Sequence, residues 1–275
     1  MKRTTYTSAT TMIKLLEQRV ASNGNTNNNG HRIGDASVET ESKYDSFYGT
    51  ESATEYLDLY KFGWKAGRDS LKNSVVEFMP RIKLELSTDV IGFAVSVPDY
   101  LSGNPENMLT MAYTQDKVID IVVPMGWNAG VDSKYILAYG GVVTAVLKSL
   151  VDSGYKVNLK AITSTSYSND TVTSLINIVD SNDILDIDKI ASCFHTSFFR
   201  RAMFAYKELS DIKDVYNATC GGYGTSSAIS KQLVDEVYLD SSNRYVYFPQ
   251  LDKNCDSQST LDKAIKLVKE VLNPE

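Results

Sequence analysis

One turn in this chain has the residue types and the position that ligand sites need. It reads Pro124-Met-Gly-Trp-Asn-Ala-Gly-Val-Asp-Ser133 and follows a short apolar run that predicts a buried strand. In open α/β sheets, ligands bind where such a strand turns into the next helix, and backbone N–H groups of the turn could hold an anion. The candidate binding residues in this turn are Gly126, Trp127, Asn128, Asp132 and Ser133.

The turn does not match the common nucleotide-binding patterns. It is not G-x-G-x-x-G, and it lacks the Gly-Lys-Ser/Thr ending of a P-loop. We therefore predict no cofactor. An enzyme that binds a nucleotide or phosphate through the Gly126–Ser133 turn is the first alternative function.

Two adjacent arginines, Arg200 and Arg201, form a second candidate site. Guanidinium groups bind phosphates and carboxylates through paired hydrogen bonds. Neighbouring residues point about 100° apart on an α-helix, so we expect at least one of the two to be exposed. We interpret one arginine as paired with a carboxylate such as Glu208 and the other as a recognition residue. A purely structural pair is the alternative.

Cys193 and His195 have the residue types of a nucleophile and its base. The sequence shows no orienting third group and no oxyanion donor for them, so we interpret His195 as a residue at a helix end. The aspartates of residues 180–188 lack the glycine and glutamate of an EF-hand loop, and Asp183 or Asp186 is predicted to cap the following helix. We predict no catalytic residue and no metal ligand.

Composition disfavours several classes of protein. The net charge is −6 and the pI is near 5.1, so no overall basic field attracts nucleic acid, and nucleic-acid binding is the second alternative function. The three cysteines have no metal-site spacing, which fits a reducing compartment. No run of 18 apolar residues predicts a membrane span, and no apolar segment predicts a signal peptide. We expect a cytoplasmic protein.

The second part of the chain predicts an open α/β sheet. The expected strands cover residues 118–123, 155–162, 172–179 and 245–248, with the second and third paired antiparallel, and the expected helices cover residues 135–151, 186–194, 198–209 and 259–272. Gly140 and Gly141 are expected where the first of these helices approaches the sheet. The predicted fold class is a three-layer, Rossmann-like α/β fold with helices on both faces of the sheet, plus an N-terminal helical segment.

The first part of the chain is less regular. We expect a helix at 8–21, a flexible stretch at 22–43, a helix from Ser52 to about Phe78 and alternating strands at 82–86 and 93–97. Gly63 and Gly67 are interpreted as close packing around Trp64. The expected organisation is a flexible arm with a short helix (1–43), a helix and strands packed on the body (44–112) and an α/β body (113–275).

The order strand, polar turn, long helix and two-strand hairpin resembles the von Willebrand factor A-type domain over roughly residues 117–272. In that family the first strand ends in an Asp-x-Ser-x-Ser metal motif, whereas this strand ends in Pro124-Met125. The resemblance therefore implies an A-type domain with a degenerate metal site. Such domains often accompany AAA+ ATPases of the MoxR or cobalt-chelatase type, which suggests that class of partner.

Four separated motifs resemble an uncharacterised family common in tailed-phage genomes. They are Phe47-x-Gly49-Thr50-x-Ser52, Gly63-Trp64-x-x-Gly67, Val97-Pro98-x-Tyr100-Leu101-x-Gly103-x-Pro105-x-x-Met108 and Phe198-x-Arg200-Arg201-x-x-Phe204-x-x-x-Glu208. The resemblance implies a phage-encoded, A-domain-like protein with a phage or host protein as partner. The function we expect is a non-enzymatic interaction or assembly module.

Overall fold

A five-stranded sheet forms the centre of the molecule. The computed structural model describes residues 2–22, 37–38, 40, 47–79, 82, 87–91, 94–110, 118–127, 131–153, 155–167, 170–209, 229–238, 244–251 and 257–272. The strands are β1 (Lys2–Ser8), β2 (Ser87–Asp89), β3 (Ala94–Val95), β4 (Met108–Thr110), β5 (Ile119–Pro124), β6 (Val157–Tyr167), β7 (Asp170–Val179) and β8 (Arg244–Tyr247). The large sheet has the order β1-β7-β6-β5-β8, and β2, β4 and β3 form a separate small sheet.

Nine α-helices and one π-helical turn are found in the described residues. They are α1 (Ala9–Ala21), α2 (Ala53–Phe62), α3 (Lys65–Phe78), α4 (Val97–Leu101), α5 (Ser133–Asp152), α6 (Ile187–Cys193), the π-helical turn (Phe198–Ala202), α7 (Met203–Leu209), α8 (Lys231–Tyr238) and α9 (Ser257–Leu272).

The large sheet is covered on both faces, which confirms the predicted three-layer α/β class. On β5, Ile119, Ile121 and Val123 face the larger core with α1, α5, α6, α7 and α9. Val122 faces the opposite way, into a smaller core that contains Val234 of α8. Burial of alternate residues on both faces explains why this strand is almost wholly apolar. Parallel pairing of β5 with β6 and antiparallel pairing of β6 with β7 also agree with the sequence.

One charged side chain interrupts the apolar pattern of β5 and anchors α8. Asp120 is fully buried and accepts hydrogen bonds from Asn158 Nδ2 (2.6 Å), Lys160 Nζ (2.5 Å) and the Tyr238 hydroxyl (2.9 Å). Burial and the Asp120 carboxylate raise the pKa of Tyr238, so its hydroxyl stays protonated and continues to donate. The network fixes the last residue of α8 against the sheet.

The N-terminal segment belongs to the body, which corrects the expected arm for residues 2–22. β1 pairs in parallel with β7 along its whole length. Ser8 caps α1 by accepting a hydrogen bond from the Thr11 N–H (3.1 Å), and Met12 and Leu16 are completely buried in the larger core. The amphipathic pattern of α1 was visible in the sequence, but its place in the body was not, because six of the seven residues of β1 are polar or charged and give no apolar strand pattern. Residues 23–36, within the stretch expected to be flexible, lie outside the described residues.

The helix expected from Ser52 to Phe78 is two helices. The Ser52 hydroxyl accepts from the Glu55 N–H (3.1 Å), as the capping pattern predicted. Gly63 ends α2 with a φ of +92°, a conformation that glycine adopts without strain, and α3 starts at Lys65. The packing role of Gly67 is confirmed, because a Cβ there would lie 2.1 Å from Trp64 Cε3.

The two glycines of α5 serve helix–helix contacts and not a contact with the sheet, which corrects that expectation. A Cβ on Gly140 would lie 2.6 Å from Phe194 Cγ at the end of α6. A Cβ on Gly141 would lie 2.4 Å from the Ser74 hydroxyl on α3. α5 is also the one described helix long and apolar enough to cross a membrane, and 67% of its apolar window is buried in this fold, as in a core helix.

A small sheet and a short helix form a separate feature, which we call the apolar module (residues 87–110). β2 and β3 both pair antiparallel with β4, and α4 follows β3 directly. Within the described residues, no extensive contact joins these elements to the five-stranded sheet or its helices. The strand expected at 93–97 is present only at Ala94–Val95, and residues 83–86 of the other expected strand lie outside the described residues.

The burial of α1 gives a first prediction. Leu16→Ala should reduce the free energy of unfolding by about 2–5 kcal/mol, because it leaves a cavity in the core. Urea denaturation would measure this, with Lys14→Ala on the exposed side of the same helix as the control, expected within about 0.5 kcal/mol of the parent. Equal free energies of unfolding for the two variants would mean that α1 is not part of the core.

The close contact between α5 and α3 gives a second prediction. Gly141→Ala should cost about 1–3 kcal/mol by overpacking, although alanine favours helices. Ser74→Gly removes both atoms that the new methyl group would meet. The cost of Gly141→Ala should therefore be smaller in the Ser74→Gly background, as a double-mutant cycle of urea denaturations would measure. Additive costs would contradict the contact.

Candidate functional site

The turn after β5 begins in the core and not at an open crevice. The Met125 N–H donates to the Ile162 carbonyl (2.9 Å), which ties the turn to β6. Met125 and Trp127 are buried, and the Trp127 ring lies 6.4 Å from the ring of Phe194 and 6.1 Å from that of Phe199. Apolar side chains therefore occupy the place where an open α/β sheet usually receives its ligand.

On the other side of this turn, the described residues are also packed. In the sheet, β5 lies between β6 and β8. The chain passes from β5 through α5 to β6, whereas β8 is added on the opposite side of β5, so the strand order reverses at β5. Tyr139 and Phe248 meet there with their rings 6.3 Å apart, and the Tyr139 hydroxyl donates to the Pro249 carbonyl (2.9 Å). The chain after β8 thus packs on α5.

The remaining candidates of the turn do not converge on one point. Gly126 is buried beside Trp127, whereas Asp132 and Ser133 are exposed at the start of α5, and Asn128 lies outside the described residues. Asp132 caps α5 by accepting from the Lys134 N–H (2.9 Å). That hydrogen bond holds the pKa of the Asp132 carboxyl below its usual range. Its role here is helix capping.

Three buried polar atoms near the turn have no hydrogen-bond partner within the described part of the chain. They are Trp127 Nε1, Thr163 Oγ1 and Ser164 Oγ. Thr163 and Ser164 follow Ile162, which pairs with the last residue of β5. Buried groups of this kind usually have a partner. Because side chains alternate along a strand, Ser164 faces the opposite side of β6 from Thr163, so Trp127 Nε1 and Thr163 Oγ1 are the pair within the described residues that favours a small polar ligand.

Arg200 and Arg201 are both buried, which corrects the expectation that one would be exposed. They lie on the π-helical turn, and residues 47–50 cover them. The Arg200 guanidinium lies 4.6 Å from the Phe47 ring centre, and the Arg201 guanidinium lies 4.4 Å from that of Tyr48. No local pattern predicts that a segment 151–153 residues earlier in the chain covers this helix.

Hydrogen bonds to backbone oxygens hold this cover in place. Arg201 donates from Nη2 to the Thr50 carbonyl (2.7 Å), from Nε to the Thr50 hydroxyl (3.0 Å) and from Nη1 to the Ser37 carbonyl (3.3 Å), and Arg200 donates to the Phe47 carbonyl. A planar guanidinium suits such divergent acceptors better than a lysine ammonium does. The 47–52 and 198–208 motifs therefore meet in space.

The predicted partner of Glu208 was wrong. Glu208 forms an ion pair with Arg19 Nε of α1 (2.9 Å), and it accepts from the N–H (3.0 Å) and the hydroxyl of Ser37. Burial raises the pKa of Glu208, while Ser37 and Arg19 oppose that shift. Both members of the ion pair are buried, so it joins α1 to α7 inside the protein. Arg19 was not singled out from the sequence, because an arginine in the last turn of a helix is usually exposed.

Burial moves the pKa values of His195 and Cys193 away from those of an activated Cys–His pair. Burial raises the pKa of the Cys193 thiol to about 12, so little thiolate exists at neutral pH. Burial, together with Arg201, lowers the pKa of His195 to about 4. The His195 ring stacks on Tyr56 and meets Trp64 edge-on, and its Nδ1 accepts from the Ser197 N–H (3.1 Å). His195 is thus a neutral packing residue.

The aspartates near α6 act as the sequence predicted for a cap. The Asp186 carboxylate accepts from the N–H groups of Asp188 (2.9 Å) and Lys189 (3.2 Å). Among the residues that the structure describes, no group of three or more His, Cys, Asp and Glu side chains is arranged to hold a metal ion.

Lys207 is the unusual titratable group that sequence reasoning missed. It lies on α7 with only 5% of its surface exposed, and burial lowers its pKa to about 8. Lysines are rarely buried, so nothing in the local sequence marks this one.

The depressed pKa of His195 gives a third prediction. The unfolded state binds the proton first on acidification, because the folded-state pKa lies below the unfolded value near 6.5. The contribution of neutral His195 to the free energy of unfolding should be fully present above about pH 6.5. It should fall by roughly 3 kcal/mol as the pH is lowered to about 4. His195→Gln should reduce that slope, as urea denaturation at several pH values would measure, while the carboxylates titrate equally in both proteins. Identical slopes in the two proteins would contradict this assignment.

One protein-family model covers nearly all of the helices and strands described above. A family model described as "Domain of unknown function (DUF7192)" matches residues 2–274. No curated protein and no solved structure matches the chain. The matched range includes β1 at one end and α9 at the other, so one family model covers both together with the central sheet. The chain therefore belongs to the DUF7192 family.

Proposed function

We propose that the chain is a non-enzymatic protein-interaction or assembly module that contacts its partner through the apolar module. The observation that carries this proposal is the concentration of exposed apolar side chains on residues 87–110. Six of the eleven large hydrophobic side chains exposed in the described chain lie there. They are Val90, Ile91, Val95, Val97, Tyr100 and Leu101.

Exposure of this kind is costly unless a partner covers it. Ile91 is 78% exposed and Leu101 is 77% exposed, although both side chains are as apolar as those of the core. Single exposed apolar residues are normal, but a group on one short segment marks an interaction surface. Val97, Tyr100 and Leu101 also belong to one of the motifs that resemble the tailed-phage family.

The charge of the apolar module indicates the chemistry of the partner. Residues 87–110 contain Asp89, Asp99 and Glu106 and neither lysine nor arginine. A second copy docked by the same surface would bring like charges together, and an anionic membrane would also repel it. A protein that offers an apolar face flanked by basic side chains fits best.

The central turn supports a non-enzymatic role. Met125 and Trp127 fill the place of a ligand, and Cys193 and His195 have pKa values that oppose nucleophilic chemistry. β5, α5 and the β6–β7 hairpin keep the element order that resembles the von Willebrand A-type domain, and Pro124-Met125 stands where that family has its metal motif. The resemblance suggests an AAA+ ATPase or a phage or host protein as the partner, in the host cytoplasm if the chain is phage-encoded.

One observation favours a second function. The unpartnered Trp127 Nε1 and Thr163 Oγ1, which lie on the same face of the sheet, could bind a small polar ligand beside the Gly126–Ser133 turn. A phosphate- or nucleotide-binding enzyme would use them. For a nucleic-acid-binding protein, the buried Arg200 and Arg201 offer no surface, so that alternative loses its main candidates.

Photo-crosslinking tests the proposed surface. A benzoylphenylalanine at Leu101 should form an adduct with another protein in an extract of the source cell, whereas the same group at Val76, exposed on α3, should not. Mass spectrometry of the adduct should locate the contact on an apolar segment that carries lysine or arginine.

Two controls make this fourth prediction specific. Ile91→Ser should remove the Leu101 adduct and change the free energy of unfolding by less than about 0.5 kcal/mol, because the side chain is exposed. Sedimentation should show whether the chain associates with itself. Equal adducts at Leu101 and Val76, or an adduct with the chain itself alone, would contradict the proposal.

A further inference from the structure

A second surface is formed by residues 231–270, which are remote in sequence from the apolar module. A cavity of about 620 Å³ opens between β8, α9 and the start of α8. We call it the edge groove, and its volume is in the range of protein binding clefts. The residues used below are Lys231, Tyr245, Val246, Tyr247, Lys263 and Lys266, all of which line it.

The edge groove exposes a row of backbone hydrogen-bonding groups. β8 is the last strand on its side of the described sheet and pairs with β5 on its other side. The Phe248 N–H donates to the Val122 carbonyl (2.9 Å), so the backbone groups of Phe248 and Val246 point toward β5. Backbone groups alternate in direction along a strand, so those of Tyr245 and Tyr247 point into the edge groove.

Side-chain contacts on both faces of the sheet hold β8 in place. The Tyr247 hydroxyl donates to the Ile229 carbonyl (2.7 Å), and the Tyr245 ring stacks on Tyr238 with a centroid separation of 4.6 Å. Val246 faces the other way, into the larger core. A strand held at both faces can accept a new neighbour without rearranging, which lowers the entropy cost of binding.

The rim of the edge groove is basic, although the whole chain is acidic. Lys231, Lys263 and Lys266 line it together with one acidic residue, Glu270. Lys231 pairs with Asp235 (2.9 Å) and Lys266 with Glu270 (3.9 Å), both in exposed positions where ion pairs are weak. Within the described residues, Lys263 forms no ion pair. The rim therefore retains a positive field for an incoming acidic segment.

We propose that the edge groove binds an extended, acidic peptide segment of a partner protein, which adds as a strand to β8. The N–H and C=O groups of Tyr245 and Tyr247 supply the main-chain hydrogen bonds, and the lysines select acidic side chains. The four residues of β8 extend over about 13 Å, which limits the paired segment to about four residues. Pro249 lacks an N–H and ends the pairing surface. This site goes beyond the surface of the proposed function.

A protective role is the rival explanation of the same features. Short edge strands with lysine and proline are a common way to prevent edge-to-edge association. A protected edge would bind no peptide of either charge. The two explanations therefore differ in a measurable outcome.

Peptide titration followed by amide hydrogen exchange tests the proposal on the full chain. The probe is acetyl-Glu-Val-Glu-Val-Glu-amide, with acetyl-Lys-Val-Lys-Val-Lys-amide as the charge control. At a concentration ten times its Kd, the acidic peptide should slow exchange of the Tyr245 and Tyr247 amides about tenfold. The Val246 amide, already bonded to β5, should change little.

Charge-reversal variants distinguish binding of the acidic peptide at the edge groove from non-specific electrostatic attraction to the protein. Lys263→Glu with Lys266→Glu should weaken binding of the acidic peptide about tenfold. The control variant combines Lys65→Glu with Lys72→Glu, both exposed on α3. It changes the net charge by the same amount and should leave the affinity for the acidic peptide unaltered. Absence of protection at millimolar peptide, equal binding of the basic peptide, or the same effect from inorganic phosphate alone would overturn the proposal. Ile91→Ser should not alter peptide binding, so this test is independent of the apolar module.

Discussion

A buried set of charged contacts determines how the first third of the chain joins the sheet. The Arg19–Glu208 ion pair links α1 to α7, and Ser37 bonds to Glu208 and to Arg201 at once. Arg201 in turn holds Thr50, which precedes α2. Removing one partner of a buried pair leaves an uncompensated charge, which is much more costly than losing an exposed pair. These few side chains therefore add to the attachment that the pairing of β1 with β7 and the apolar packing of α1 already provide.

The same contacts explain why the residues that first suggest chemistry are buried in the core. Arg201 lies close to His195 and helps to keep it neutral, and the burial that surrounds both raises the pKa of Cys193. Trp127 packs on Phe199 of the π-helical turn, so the same layer covers the described start of the central turn. Such turns are frequent at functional sites, but here the π-helical turn organises a packed core.

Both of our proposals therefore place function at the periphery of the molecule. The apolar module exposes hydrophobic side chains with acidic neighbours, and the edge groove exposes main-chain groups with basic neighbours. The two surfaces have different chemistry and lie on different elements. Under the two proposals, the chain would contact two partners through separate surfaces.

The sequence alone determined the elements with strong periodicity or clear caps. β5, α5, the β6–β7 hairpin and α9 follow from apolar patterns, and the cap at Asp186 follows from side-chain chemistry, because both depend on neighbouring residues only. Tertiary structure alone decided the pairing of β1 with β7 and the burial of both Arg200 and Arg201. Those outcomes depend on segments more than a hundred residues apart, whose meeting no local pattern records. Local chemistry thus predicted the fold class, and long-range packing decided which candidate residues reach the surface.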